Sequence, residues 1–424
     1  MYTKHTLDNG IEVVLTKIEH TRSVSMGLWI KTGSVDESES NNGISHFIEH
    51  MLFKGSKKYS AKDIAEAFDY IGGDLNAFTS KECTCFHAKV LDHHIDVPIK
   101  IIAEMISSPL LKEADIEKEK SVVLDEIMMA EDTPDDVSYD LIAKTSYGDG
   151  SLSLPILGNE DTLKSFDKNM IISQLNQYYT TDNMVISIAG SYDEVEVLTL
   201  LNQHFNMSKS KKCKPHNPNE FFVGSSYIYR DIEQVHLEIA YEGIPYGDES
   251  VFSLAAFNNI LGASVSSRLF QNIREEYGLT YSINSYLTQY EQCGLFSIYA
   301  SMNTKNTITV AKLIRKEIDD LITNGFSDEE LQRVKEQLKG NYILDLEGSD
   351  AYMNLIGKGT LFDKRVRTAD EVEDAIDQVN TDSVNKVMMK ILESDASIAL
   401  VGRVDEKLLN KCTEILRGQH EITS

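Results

Sequence analysis

The chain has 424 residues, 42% hydrophobic and 25% charged, enough apolar material for the cores of about two to four soluble domains. Its formal net charge of −26 argues against nucleic acid or an anionic membrane as partner. Its five cysteines (Cys83, Cys85, Cys213, Cys293 and Cys412) are too scattered for a disulfide framework. There is no apolar leader at the N-terminus and no apolar run long enough to span a bilayer. The expectation is a cytoplasmic, bacterial-type protein without membrane insertion, the processed form of an organelle precursor being the open alternative.

Asn9-Gly10 is a hairpin signal between two short strands. Val24, Met26, Leu28 and Ile30 alternate with Ser25, Gly27 and Trp29, which predicts a half-buried strand. A polar loop from Gly33 to Asn42 leads into Gly43-Ile44-Ser45-His46-Phe47-Ile48-Glu49-His50, read as a helix. Ser60 caps a further helix running to about Tyr70 and closed by Gly72-Gly73. Strands follow at Leu75–Thr79 and Thr84–Leu91, joined by the turn Ser80–Glu82. Cys83 and Cys85 share one strand face as small packing residues, and His87 falls in a structural alternation. His93-His94 has no carboxylate partner evident and reads as a solvated pair. Pro98 sits early in a helix to about Ile106, and a long helix spans roughly Glu113 to Glu131. Val185–Ala189 is an apolar strand ending at Gly190. Asn206–Asn219, basic and carrying Pro215 and Pro218, reads as a linker.

The second half restates the first. Val185–Glu194 matches Ser397–Glu406, with Gly190 and Gly402 offset by 212. Ile95 and Ile308, each opening a helix, are offset by 213, and Val24 and Val235 by 211. Three distant anchors with nearly one offset indicate a tandem duplication. The division is residues 1–207, a linker at 208–220, and 221–424. The second copy has no His-x-x-Glu-His, and Asn341 or a neighbour stands where the first copy has Glu126.

On a helix, His46 and His50 lie one turn apart on one face, a spacing at which two imidazoles reach one metal ion. Glu49 beside them is placed to serve as a general base, and the pattern reverses the common His-Glu-x-x-His zinc motif. A third ligand should come from a neighbouring element. The long helix offers Glu117, Glu119, Asp125, Glu126 and Glu131, of which Glu119 and Glu126 share a face. Val122, Val123, Leu124 and Ile127 surround Glu126 with apolar residues, and a carboxylate there is costly unless it pairs or binds a cation.

The run His46 to Gly55, followed by Glu119 and Glu126, resembles the insulinase/pitrilysin family of zinc metallopeptidases. The closest resemblance is to the branch of the mitochondrial processing peptidase β subunit and bacterial proteases of similar length. The resemblance implies that His46, His50 and Glu126 hold one Zn²⁺ per chain, that Glu49 is the general base, and that Glu119 supports the site. It implies that Asn76, Ala77 and Phe78, in the segment Leu75–Thr79, hold an extended peptide. It also implies that Arg274 and Tyr281 contact the substrate carbonyl; on their own they read rather as a solvated helix charge and a core strand residue.

The fold implied is α+β: two homologous domains, each an antiparallel sheet with helices on one side, closing as a clamshell around a chamber. The implied activity is endopeptidase or oligopeptidase hydrolysis of short or unfolded peptides, with Glu49 activating the water. The implied partners are a peptide and a second copy in a homodimer, a hetero-oligomer remaining open, as does whether Arg274 and Tyr281 act in cis or in trans. A non-catalytic assembly subunit of the same fold and a plain peptide-binding protein are the alternatives. The ligand set also accepts Co²⁺ or Mn²⁺.

Overall fold

The computed structural model describes residues 2–208, 219–363 and 365–418, so the expected linker at 208–220 lies almost wholly outside the described residues. The chain forms two compact units. The first comprises Met1–Met128, Leu154–Asn217 and Ile343–Thr368; the second comprises Met129–Ser153, Pro218–Tyr342 and Ala369–Ser424. The sequence reading had assigned Met129–Ser153 and Ile343–Thr368 each to the other half.

The first unit is built on β1 (Tyr2–Thr6), β2 (Glu12–Lys17), β3 (Ser23–Ile30), β4 (Asp74–Thr79), β5 (Thr84–Leu91) and β6 (Met184–Gly190). Their order is β1-β2-β6-β3-β5-β4. Neighbours run antiparallel except β2 and β6, so the wholly antiparallel sheet expected from the sequence is corrected to a mixed one. A hairpin joins β1 to β2 through the Asn9-Gly10 turn, where the Gly10 amide donates to the Leu7 carbonyl.

One face of this sheet meets α1 (Ile44–Leu52), α2 (Ala61–Ile71), α3 (Asp96–Ser107), most of α4 (Glu113–Glu131), α6 (Glu160–Ser165), α7 (Lys168–Tyr178) and α8 (Glu194–His204). The helix numbered α5 (Pro134–Tyr147) belongs to the second unit. Met26, Leu28 and Ile30 of β3 join Phe47, Met51 and Ile102 in the core, all essentially inaccessible. Burial of this apolar surface, at about 25 cal/mol per Å², drives the sheet and helices together.

The alternate residues of β3 face the other way, onto α12 (Ser349–Lys358), which covers β3, β6 and β2. Trp29 Nε1 donates to Ser187 Oγ at 2.8 Å, and Ser25 and Ser349 hydroxyls share a 2.8 Å hydrogen bond. A side chain at Gly357 would put its Cβ 2.1 Å from Trp29 Nε1, so only glycine lets this helix lie so close. Helices therefore cover both faces, not one.

The second unit repeats the plan with β7 (Ser225–Tyr229), β8 (Gln234–Glu242), β9 (Thr280–Gln289), β10 (Gly294–Asn303) and β11 (Ser397–Gly402), in the order β7-β11-β8-β10-β9. Only β7 and β11 are parallel, the counterparts of β2 and β6. Its core packs α9 (Val251–Asn258), α10 (Thr307–Asn324), α11 (Asp328–Asp345), α14 (Thr381–Leu392) and α15 (Glu406–Arg417), with α13 (Ala369–Gln378) at its edge.

The opposite face of the second sheet is covered by α5, which packs on β11, β8 and β7. There His236 Nδ1 lies 2.8 Å from Asp135 Oδ1, which also accepts from the Tyr299 hydroxyl at 2.7 Å. Helices α5 and α12 begin at residues 134 and 349, and α4 and α11 at 113 and 328; both pairs share an offset of 215. The two halves thus contribute equivalent helices to each other's units.

Candidate metal centre

Helix α1 opens at Gly43, whose φ of 92° lies in the left-handed region. A Cβ there would meet the Leu157 carbonyl oxygen at 2.6 Å. The first turn is held by the buried Glu37, which accepts from the backbone amides of Gly43 (2.7 Å) and Ser45 (2.8 Å). A carboxylate at this end satisfies otherwise orphaned amides and complements the helix dipole. Phe47, Ile48 and Met51 anchor α1 in the core, while His46 and His50 face a common site with Glu126, and Glu49 lies close enough to feel the charges of His50 and Glu126.

His46 Nε2 lies 3.6 Å and His50 Nε2 3.4 Å from Glu126 Oε2. The three residues can offer ligand atoms all within 4.8 Å of one another, and this is the one such grouping among the described residues. With metal–ligand bonds of roughly 2.0–2.2 Å, two ligands of a tetrahedral zinc stand roughly 3.3–3.5 Å apart. Two imidazole nitrogens and a carboxylate oxygen are also the donor types that zinc takes. The residues fit the ion.

The supporting contacts point the same way. His50 Nδ1 donates to Glu119 Oε1 at 2.9 Å, which leaves the Nε2 lone pair facing Glu126. Glu119 is buried, and Lys54 Nζ balances its charge at 2.5 Å from Oε2. His46 is pushed down to about 4 by burial and then by the charge of His50, so its ring is neutral at physiological pH.

Glu126 is not in the apolar pocket that the sequence suggested. Its side chain is 38% exposed, and Val122 beside it is also exposed. The apolar residues of that run divide between core, where Val123 and Ile127 lie, and surface.

Glu49 is buried, and burial raises its carboxyl above the ordinary range against the opposing hydrogen bond from Thr79. Thr79 Oγ1 donates to Glu49 Oε2 at 2.5 Å from the end of β4. The sequence reading missed Thr79, Lys54 and Glu37. Each acts through a partner 30, 65 or 6–8 residues away, and the only signal was Thr79 closing the quoted edge-strand segment.

Asn76, Ala77 and Phe78 lie on β4, the edge strand, which pairs only with β5. Asn76 Oδ1 accepts from the Ala77 amide at 2.8 Å, and Phe78 packs edge-on against Trp29 with centroids 5.8 Å apart. Arg274 and Tyr281 belong to the second unit. Arg274, in a wide helical turn at Phe270–Glu276, stacks over Phe270 at 4.5 Å. Tyr281, on the edge strand β9, is 75% exposed and so is not the core residue that was its other reading.

A carboxylate and two imidazoles around an ion-sized gap, with a buried carboxylate alongside, define the class of zinc-binding hydrolases. Comparison with known proteins makes this particular. Residues 12–160 match the family described as insulinase (peptidase family M16), and residues 165–338 match the peptidase M16 inactive domain. The chain is 39% identical over 401 residues to a Bacillus subtilis (strain 168) protein named uncharacterized zinc protease YmxG, covering 95% of this chain and 98% of that one. It is 35% identical over 411 residues to uncharacterized zinc protease SCO5738 of Streptomyces coelicolor, covering 95% and 90% respectively. This chain belongs to the insulinase (M16) family of metallopeptidases.

Solved structures share the fold. A protease from Helicobacter pylori has a TM-score of 0.88 at 21% identity, covering 95% of this chain and 99% of that one. A chain of Complex III2 from Candida albicans has a TM-score of 0.86 at 21% identity, covering 98% and 99%. No helix among the described residues is long and apolar enough to cross a membrane.

Proposed function

We propose that this protein is a zinc-dependent endopeptidase acting on short or unfolded peptides. The observation that carries this reading is the convergence of His46, His50 and Glu126 beside a buried Glu49. His46, His50 and Glu126 would hold the zinc, which when bound supplies Lewis acidity at the scissile carbonyl and to the attacking water. Glu49 takes the proton of that water and returns it to the leaving amine. Burial raises its pKa above the ordinary carboxylate range, which strengthens it as a base. Thr79 holds the Glu49 carboxylate in one rotamer through its hydroxyl.

The free edge of β4 supports binding of the peptide as an added strand, whose main-chain hydrogen bonds are blind to sequence. In this reading Asn76 and Ala77 hold the peptide, Phe78 lines its path, and Arg274 and Tyr281 stabilise the developing oxyanion. The preference for short or unfolded chains, the enclosing chamber, a homodimer, a processing-peptidase role and a cytoplasmic setting belong to the same reading and rest on the family resemblance.

Likeness to a chain of Complex III2 keeps a second reading in view, an assembly subunit without turnover. Glu49→Gln separates them. Peptide turnover should fall by about 10²–10⁴-fold while zinc content by elemental analysis is unchanged. Chelation should abolish turnover and zinc should restore it. Turnover that survives thorough chelation sinks the peptidase reading, and equal turnover in Glu49→Gln sinks the assigned base.

A further inference from the structure

A second concave site lies within the first unit, in a cavity of about 800 Å³ between the loop after α1, α3, and the ends of α7 and α8. That volume is in the range of small-molecule sites. Its charged lining runs against the rest of the molecule. The chain carries 67 acidic residues to 41 basic, yet the cavity is lined by Lys57, Lys58, Lys100 and Lys168 against a single carboxylate, Glu104. Lys58 pairs with Glu104 at 2.9 Å and Lys100 with Asp96 at 2.7 Å. Lys57 and Lys168 have no acidic partner among the described residues, so at least two positive charges remain uncompensated.

The rim is fixed rather than loose. The Lys57 amide donates to the Ser108 carbonyl at 3.0 Å, and the Leu110 amide to the Gly55 carbonyl at 3.1 Å. Leu111, on the cavity wall, has a φ of 46°, the only non-glycine residue with a positive φ among those described. A strained, tied loop is what holds a binding surface in shape before its ligand arrives. After burial, the charges of Lys100 and Lys58 are what hold His204 below its ordinary pKa, so the positive field reaches across the cavity. Asn176 and Gln203 add carboxamide donors, and Ile106, Leu175 and the Tyr179 ring supply an apolar wall.

We propose that this cavity binds a phosphate-bearing anion, its phosphates between Lys57 and Lys168 and any ring against the apolar wall. Phosphate fits better than a carboxylate because it carries up to two charges and three acceptor oxygens, matching two free ammonium groups and the amide donors. A nucleotide and a free polyphosphate share this chemistry.

The test is calorimetric titration of the full-length, zinc-loaded protein with ATP, inorganic triphosphate and adenosine. One ATP should bind per chain, more weakly as salt is raised, and adenosine should give no heat. The variant Lys57→Glu/Lys168→Glu, altered only at exposed side chains, should weaken ATP at least tenfold with an unchanged circular dichroism spectrum. Lys112→Glu, outside the lining, should leave it unchanged. Triphosphate binding as tightly as ATP supports the anion site with a free polyphosphate as occupant; triphosphate binding more weakly supports a nucleotide. No heat with either phosphate overturns the proposal. So does ATP binding that survives the double reversal, since the anion would then sit elsewhere, at the metal centre for example.

Discussion

Apart from the extra strand β1, the two units have the same strand order and the same single parallel pair, yet among the described residues only the first has a grouping of side chains that could hold a metal ion. Between β3 and β4 of the first unit stands α1, with His46 and His50 turned to Glu126 and Glu49 buried between them in sequence. Between β8 and β9 of the second stands α9, whose Leu254, Ala256 and Phe257 are buried and which has no histidine or carboxylate. Helices α4 and α11 are equivalent in position, and at the offset of 215 Glu126 answers to the exposed Asn341. Framework and chemistry are therefore separable in this fold. The sheet and its core tolerate at the same place either a helix with two histidines and a glutamate or one with no ionisable side chain.

The largest test of that contrast is alanine at the equivalent pair. Glu126→Ala should lose its zinc by elemental analysis and cut peptide turnover by about 10³-fold or more. Asn341→Ala should change neither.

The second test is the stability of the metal-free protein against pH. His46 titrates at 6.5 when unfolded and at about 4 when folded. Between those values the unfolded chain takes up a proton that the fold refuses, so stability falls as pH drops through the window. The cost is about 3 kcal/mol at most, seen as a falling urea midpoint. His46→Gln should reduce this slope, and saturating zinc should raise the midpoint at the upper end of the window.

A smaller effect is expected from the support beneath the ligands. Glu119→Gln should weaken zinc about 10–100-fold, measured by competition with a chelator. Smaller again is Thr79→Val, which should lower kcat by about tenfold, roughly one hydrogen bond to a charged group, with little change in KM. Thr79→Ser should restore it, and a valine variant with full kcat would show that the hydroxyl does not position Glu49.

Much of this was legible in the residues. The long helix is Glu113–Glu131, as its pattern predicted, and Ser60 caps α2 with Gly72 closing it at a φ of 62°. Local rules suffice there, because caps and turns depend on neighbours in the chain. The duplication was legible because its three anchors mark strands and helix starts, which keep their spacing. His46, His50 and Glu126 were legible as a set because two of them share one turn and the third fits a family pattern.

What stayed hidden depends on contacts across the chain. Thr79 meets Glu49, and Lys54 meets Glu119, only after β4 and α4 have packed against α1. The parallel pairing of β2 with β6 brings together strands about 170 residues apart in sequence, and no turn signal announces it. The apolar setting expected for Glu126 failed because a short hydrophobic run on a helix points to two sides, and Val122 points out.

The loan of α12 to the first sheet has a consequence for biosynthesis. One side of that sheet, Trp29 included, has no covering until Ser349–Lys358 has left the ribosome, late in translation. The catalytic half, although first made, cannot reach its native burial until most of the remaining chain exists. A nascent protein of this kind matures last where it began, and a stop codon anywhere before residue 349 would leave that sheet face, with Trp29 on it, open to chaperones or aggregation.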